Sequence, residues 1–342
     1  MGDRPVVVTS REAPLARAYD RVAARPAWAA CIAVVAASAA SALAGVSPSP
    51  AVRYAPLAVS VVLLGLPHGA VDHLVPARAG ATTRRRSVLA VGLVYLFLGG
   101  AYAALWLVAP VPAALSFVAL TWLHWGQGDV HALTAFVGAP HLRDRWRRVV
   151  TLLVRGGPPM VVPLLAFPDR YRAVVAAWVG LFGRSLEVAW LFAPTTRAAL
   201  GVGLAAATLA TLAAGYRVAG PTRGWRVDAG ETALLWLLFL TVPPLVAVGT
   251  YFCVWHSLRH VLRVAAVDRP ASAAGALRGF ARDAAPLTAL ALVLLGGFGL
   301  LVPAEPSTLS ELGALYLVFV AVVTLPHVAV VTWLDDREGV WA

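Results

Sequence analysis

The chain has 342 residues, of which 60% are hydrophobic and only 13% are charged. Soluble domains carry about a quarter charged residues, so this composition excludes an ordinary soluble domain and indicates a helical membrane protein. The formal net charge of +11 does not indicate a nucleic-acid partner, because the arginines lie in short loops between apolar runs, where membrane proteins carry their orientation signals. All 28 basic residues are arginine, which excludes a lysine Schiff base and therefore an opsin that holds retinal covalently.

Ten apolar runs predict transmembrane helices in an all-α bundle, since each approaches or exceeds the roughly 20 residues that cross a bilayer. In chain order they are Trp28–Val46, Ala55–His73, Ser87–Ala109, Pro112–Gln127, Val149–Phe167, Ala198–Gly215, Ala229–Val246, Ala247–Arg263, Pro286–Val302 and Leu312–Leu334. The length leaves no room for a separate soluble domain. We therefore expect residues 1–342 to form one transmembrane domain in a lipid bilayer.

Loop charge predicts the orientation of the bundle. Arginines cluster around residues 78–86, 143–148 and 269–282, which indicates one cytoplasmic side, whereas residues 109–112 and 303–311 contain none. With ten spans both termini are cytoplasmic, and residues 1–26 form a cytoplasmic segment rather than a cleaved signal peptide. The apolar segment Ala173–Leu191 is interrupted by Arg184 and Glu187, so it is expected to lie in the interface, to re-enter, or to cross as an eleventh span.

The second predicted span ends in two histidines and an aspartate. Ionisable residues inside membrane-grade sequence are costly, so each is a candidate functional residue. Asp72 lies four residues after His68, and a ligating imidazole usually donates its second nitrogen to a carboxylate or carbonyl. We therefore predict His68 as a metal ligand with Asp72 as its outer partner, and His73 as an interfacial side chain that meets water.

The fourth span ends in His124, Asp129 and His131. His124 follows an apolar run, which predicts a metal ligand, and Asp129 is predicted to support it from outside. His131 lies two turns closer to the loop and is expected to be solvated or to bond a ligand. His141, beside Arg143 in a basic loop, is expected to be a solvated surface residue.

The two last histidine motifs lie in the eighth and tenth spans. His256 and His260 are four residues apart, which places both imidazoles about 40° apart on one side of a helix, a natural chelate. His327 follows Pro326, whose missing N–H frees a backbone carbonyl one turn back. His327 is therefore either a ligand or a side chain that bonds the backbone.

The seven histidines other than His141 share one predicted depth, in the cytoplasmic parts of their spans, as a single metal site requires. Imidazole ligands suit zinc, copper, iron and nickel. Cys31 and Cys253 have no CxxC spacing and indicate neither a disulfide framework nor a zinc site. The residues alone predict a histidine-rich metal site that acts on a lipophilic reactant.

The motifs closely resemble those of the Brp/Blh family of membrane β-carotene 15,15′-dioxygenases. The matching residues are Pro67-His68-Gly69-Ala70 with Asp72-His73, the block Trp122–Asp129, Trp255-His256-Ser257 with His260, and Pro326-His327. The resemblance implies central cleavage of β-carotene with O2 into two all-trans-retinal molecules in the plasma membrane, linked in function to a rhodopsin. It implies Fe²⁺ held by His68, His124, His256 and His260 as the catalytic residues; Asp72, Asp129 and His327 are predicted from the residues themselves to lie around them.

Five aromatic residues flank the predicted ligands: Trp122, Trp125, Tyr251, Phe252 and Trp255. They are expected either to wall a slot for a long polyene or to form the interfacial belt that is common for Trp and Tyr.

Three other classes of function stay open from the residues. A membrane desaturase or hydroxylase also clusters histidines, although the HxxHH boxes of that class are missing here. A metal transporter would place its histidines along a path rather than at one depth. A carotenoid or retinoid carrier would need no metal, which leaves the His256/His260 pair unexplained.

Overall fold

A computed structural model describes residues 19–267 and 273–342. This described part is helical and contains no strand, which confirms the predicted all-α class. Most of the predicted amino-terminal segment, residues 1–18, lies outside the described residues, and so does Arg269 of the predicted cytoplasmic loops.

We number the helices in chain order. The first six are α1 (Asp20–Leu43), α2 (Pro50–Arg78), α3 (Arg84–Val108), α4 (Pro110–His131), α5 (Arg145–Ala166) and α6 (Pro168–Gly180). The last six are α7 (Ala189–Phe192), α8 (Pro194–Ala219), α9 (Arg223–Thr241), α10 (residues 244–267), α11 (Ala273–Gly299) and α12 (Leu309–Arg337). Helix α2 is irregular, with a π-helical segment and a turn before its last residues.

Seven of the described helices are long and apolar enough to cross a membrane: α1, α2, α3, α5, α8, α11 and α12. Helices α5 and α12 bury 72% and 67% of their apolar windows, whereas α1, α3, α8 and α11 bury only 11–17%. The first two therefore form the centre of the bundle, and the other four present apolar side chains outward, as lipid-facing helices do. The count of ten crossings stays a prediction.

Helix α6 covers one end of the bundle. Its 13 residues extend about 20 Å, which is less than the roughly 30 Å of a bilayer core. It follows directly on the end of α5, and the Leu181 carbonyl behind it accepts a hydrogen bond from Ala304, in the loop before α12. We call this end, where α5 ends and α12 begins, the α6 end.

Helices α4 and α5 approach closely through two glycines. A Cβ at Gly126 would lie 2.2 Å from the Leu152 carbonyl oxygen, and one at Gly156 would lie 2.0 Å from the Trp122 carbonyl oxygen. Small residues at helix contacts in membranes let the backbones come together in this way. Because His124 lies between these two contacts, they fix the depth and rotation of its helix.

We expect Gly156→Ala to destabilise the protein by about 1–3 kcal/mol, the usual cost of forcing extra volume into a packed site. The measurement is thermal unfolding in detergent. Gly203→Ala in α8 is the matched control, because its Cβ would meet nothing within 4 Å. Equal melting temperatures for the two variants would show that α4 and α5 do not depend on this contact.

Candidate metal centre

Five imidazoles from four helices meet inside the bundle. They are His68 of α2, His124 of α4, His256 and His260 of α10, and His327 of α12, and all five are buried. The ring centroids of neighbouring pairs lie 4.7–5.5 Å apart. The structure thus brings the four predicted ligands together and adds His327 to them.

His68 is oriented by its own helix. Its Nδ1 lies within hydrogen-bond reach of the Gly65 carbonyl oxygen, in a short helical segment that follows the π-helical residues Ser60–Leu64. Gly65 must be a glycine, since a Cβ there would lie 2.5 Å from the Ser60 carbonyl oxygen, 2.7 Å from Tyr316 Oη and 2.8 Å from Phe252 Cε1. The close packing of these two aromatic side chains therefore fixes the turn that aims His68.

Asp72 supports His327, not His68 as predicted. Its Oδ2 lies 2.7 Å from His327 Nδ1 and accepts a 2.7 Å hydrogen bond from Tyr95 Oη. The predicted pairing assumed a regular helix through both residues, but the chain turns after Gly69 and Asp72 begins a 3₁₀ segment. Tyr95 was not predicted, because a lone tyrosine in an apolar run carries no signal of its partner.

Several imidazole nitrogens in this cluster have no hydrogen-bond partner among the described residues. They are both ring nitrogens of His124 and the Nε2 atoms of His256, His260 and His327. Buried polar groups are nearly always hydrogen-bonded, so such a concentration requires a ligand. Ligand atoms of His68, His124 and His327 all lie within 4.8 Å of one another, as do those of Asp72, His260 and His327. The cluster therefore fits a metal ion that imidazoles bind.

His256 lies in a π-helical segment, Tyr251–Ser257, and His260 in the α-helical turn behind it. Inserted π turns occur frequently at functional sites. Here the two rings still face the same neighbour, since their centroids lie 5.5 Å and 5.4 Å from that of His68. The predicted pair thus lies on one side of α10.

Asp129 belongs to a buried cluster of four charged side chains that we call the arginine network. The network consists of Asp129, Arg155, Glu231 and Arg259. Asp129 Oδ2 accepts from Arg155 at 2.9 Å, and Oδ1 accepts from Arg259 at 2.8 Å and from Trp255 Nε1 at 3.0 Å. The predicted contact between Asp129 and a ligating imidazole is wrong, because both carboxylate oxygens are committed to these donors.

The arginine network joins α4 and α10, which carry three of the five imidazoles, to α5 and α9. Glu231 of α9 bonds Arg155 at 2.6 Å and Arg259 at 2.7 Å, and the Arg259 guanidinium stacks over the Trp255 ring at 4.1 Å. The two positive and two negative side chains are thus paired in a buried site, as burial of charge requires, and the buried Asp228 carboxylate lies 3.8 Å from Arg155 as a further negative neighbour. Arg259 directly precedes His260, and Trp255 directly precedes His256, so the network holds α10 in register with α4 and α5.

The remaining histidines lie outside the cluster. His73 is half-buried, and its Nδ1 lies 3.0 Å from the Ala70 carbonyl oxygen. His131 is buried, with Nε2 3.3 Å from the Glu338 carboxylate. Burial alone would raise the pKa of Glu338, but the hydrogen bond from His131 and the Arg263 charge lower it.

His141 is buried and bonds Asp228 at 2.9 Å; its predicted exposure is wrong, because the loop folds back onto α9.

An apolar cavity leads to the imidazoles. It encloses about 1150 Å³ of empty space, including its opening, and His68, His124, His256 and His327 line one part of it. Of the five predicted slot residues, Trp125 and Phe252 line this cavity. The other three do not belong to its lining. Tyr251 and Trp255 are fully buried, and the Trp122 indole N–H donates to the Leu153 carbonyl oxygen.

We predict that Asp72→Asn lowers metal affinity about 10–100-fold, the usual loss when the outer partner of a ligating histidine is changed. Metal titration of the purified protein measures this. Tyr95→Phe serves as the comparison, because it removes the other contact of the same carboxylate oxygen and leaves the His327 bond in place. Wild-type metal affinity in Asp72→Asn would remove the proposed role of Asp72.

The fold and the site define an all-helical membrane protein with a buried histidine cluster beside an apolar cavity. The family model for β-carotene 15,15′-dioxygenase matches residues 59–335. The chain therefore belongs to the β-carotene 15,15′-dioxygenase family and is an oxygenase, which confirms the predicted resemblance.

Curated relatives agree with this assignment. The probable β-carotene 15,15′-dioxygenase Blh of Halobacterium salinarum is 52% identical, over 99% of this chain and 100% of its own length. The probable β-carotene 15,15′-dioxygenase Brp of the same species is 35% identical, over 83% of this chain and 84% of its own length. A β-carotene 15,15′-dioxygenase of an uncultured marine bacterium is 28% identical over 58% of this chain and 65% of its own length. No solved structure matches the chain significantly.

Proposed function

We propose that this protein cleaves the central double bond of β-carotene with O2 and yields two molecules of all-trans-retinal. One carbon–carbon double bond is broken, and the two oxygen atoms of O2 become the two aldehyde oxygens, so atoms and electrons balance without another reductant. We propose a multi-pass location in the plasma membrane and a functional link to a rhodopsin that takes up the product.

One observation carries the proposal: a cluster of buried, partly unpartnered imidazoles lines an otherwise apolar cavity. Apolar pockets with a few convergent polar groups are the usual form of a small-molecule site. A substrate without polar groups fits the cavity walls, and the imidazoles supply the one place where chemistry can occur. Family membership and the names of the relatives agree with β-carotene as this substrate.

We propose Fe²⁺ as the metal, held by His68, His124, His256 and His260. His327 joins this set as a fifth candidate, because its Nδ1 bonds Asp72 and its Nε2 has no described partner. Bound iron would supply the activation of O2 that a spin-paired polyene cannot provide alone.

The side chains of the chain itself bind and orient the reactants. Asp72 fixes the proton of His327 on Nδ1, which leaves Nε2 as the basic nitrogen. Trp125 and Phe252 form an apolar wall next to the imidazoles, where a flat polyene can lie against them. An apolar enclosure of this kind also excludes water from reactive intermediates. No side chain is required as a general base.

The other classes of function fit the site less well. A transporter needs ligands along a path, whereas the five imidazoles form one compact cluster. A carrier without a metal would leave the buried imidazole nitrogens without partners. The HxxHH boxes of a membrane di-iron desaturase are missing from the sequence.

Expression in cells that produce β-carotene tests the proposal. We expect the orange colour to bleach and retinal to appear in the extract by chromatography. Protein that is abundant and folded, in cells that retain their colour and contain no retinal, would contradict it.

A further inference from the structure

The cavity extends from the imidazoles toward the α6 end along α4 and α12. On α4, Phe117 lines it seven residues before His124, and on α12, Leu317 lines it ten residues before His327. At a rise of 1.5 Å per residue these intervals are about 10 Å and 15 Å. The cavity thus reaches roughly 10–15 Å beyond the imidazoles in this direction.

Helix α6 forms the wall at the far end of the cavity. Val175 and Trp178 of α6 line it and are buried. The Trp178 ring packs edge-on against the Phe117 ring of α4, with the centroids 5.6 Å apart. This pair of aromatic rings bridges α6 and α4 across the axis along which the cavity extends.

The depth of the cavity matches one half of β-carotene. A fully extended polypeptide covers 3.3–3.6 Å per residue, that is, per three backbone bonds. We use the resulting value of about 1.2 Å per bond for the extended polyene. Roughly nine bonds separate the central carbon from the terminal ring, which gives an arm of about 11 Å, or on the order of 15 Å with the ring. A ring that meets the far wall therefore places the central double bond beside the imidazoles.

We propose that Trp178 and Phe117 determine the cleavage position by stopping the terminal ring of the carotenoid. This inference rests on the proposed function, and it names the residues that direct O2 to the central bond rather than to its neighbours. The wall measures only one arm of the substrate, so the same contact accepts any carotenoid whose first half ends in an unmodified ring.

The test is to deepen the cavity and to identify the aldehydes that form from β-carotene. In Trp178→Ala the ring moves further in, so the bond beside the imidazoles lies further from that ring. We expect the variant to cut off-centre and to give one aldehyde longer than retinal and one shorter. Trp190→Ala is the matched control, because Trp190 is 62% exposed and should leave retinal as the product.

Retinal as the sole product of an active Trp178→Ala variant would overturn the proposal. If that variant does not fold, Val175→Ala removes a smaller group from the same wall, and unequal aldehydes are again expected beside retinal. Retinal alone from active Val175→Ala would likewise overturn it. A wild-type protein that forms no aldehyde from β-carotene refutes the proposed function itself, whereas central cleavage in the wild type and in all wall variants refutes only the role of the wall.

Discussion

His260→Ala should lose bound iron and β-carotene cleavage together. The side chain is buried at 4.9 Å from the His327 ring and 5.4 Å from the His68 ring, between centroids, and its Nε2 has no described hydrogen-bond partner. Its removal leaves the ion with an incomplete set of nitrogen ligands. Iron content by elemental analysis and retinal by chromatography, on the same preparation, measure both effects.

The matched control for this prediction is His73→Ala. His73 lies only five residues from His68 in sequence, but it is half-buried and bonds the backbone carbonyl of Ala70, outside the cluster. We expect iron and activity close to wild type in this variant. Loss of cleavage in His260→Ala with a full complement of iron would remove His260 from the set of ligands.

Asp129→Asn should be among the most destabilising substitutions in the chain. It removes one of the two carboxylates that pair with both Arg155 and Arg259, in a site where these two arginines are almost fully buried, and leaves Glu231 as the carboxylate that bonds both. Breaking a buried ion pair costs about 3–5 kcal/mol, because an uncompensated charge remains. Since the network holds α10 against α4, we expect iron occupancy to fall as well, although Asp129 touches no ligating imidazole.

Asp20→Asn is the control for the loss of a carboxylate charge. Asp20 pairs with Arg223 at 2.7 Å, but the arginine side chain is 55% exposed, and exposed pairs contribute about 0–1 kcal/mol. Thermal unfolding in detergent and iron content compare the two variants. If Asp129→Asn unfolds at the same temperature as Asp20→Asn and binds iron normally, the arginine network does not position the site.

The helices, and the four histidines that meet in the cluster as predicted, could be found from sequence because their signals are local. Apolar runs of membrane length predict helices by composition alone. The family motifs include the residues on either side of His68, His124 and His256, so each histidine is recognised from its immediate neighbours. The count of crossings is harder to predict. Helix α9 carries Arg223, Arg226, Asp228 and Glu231 within 19 residues. Asp228 and Glu231 are buried and bond inside the bundle, whereas Arg223 pairs with Asp20 at the exposed start of the helix.

The partners of the site residues could not be predicted, because they depend on contacts between distant segments. Asp72 bonds His327 across 255 positions in sequence, and a turn after Gly69 redirects it from His68. Asp129 bonds Arg259 across 130 positions. His141 looked solvated beside arginines, yet it packs against Asp228 of α9. Spacing within one helix cannot reveal any of these pairings.

Anomalous diffraction at the iron edge, from crystals of the iron-loaded protein, tests the central claim most directly. We expect one iron peak enclosed by His68, His124, His256, His260 and His327, with imidazole nitrogens at bonding distance. An iron peak at any other place in the molecule, or a well-ordered imidazole cluster that takes up no iron from solution, would contradict it.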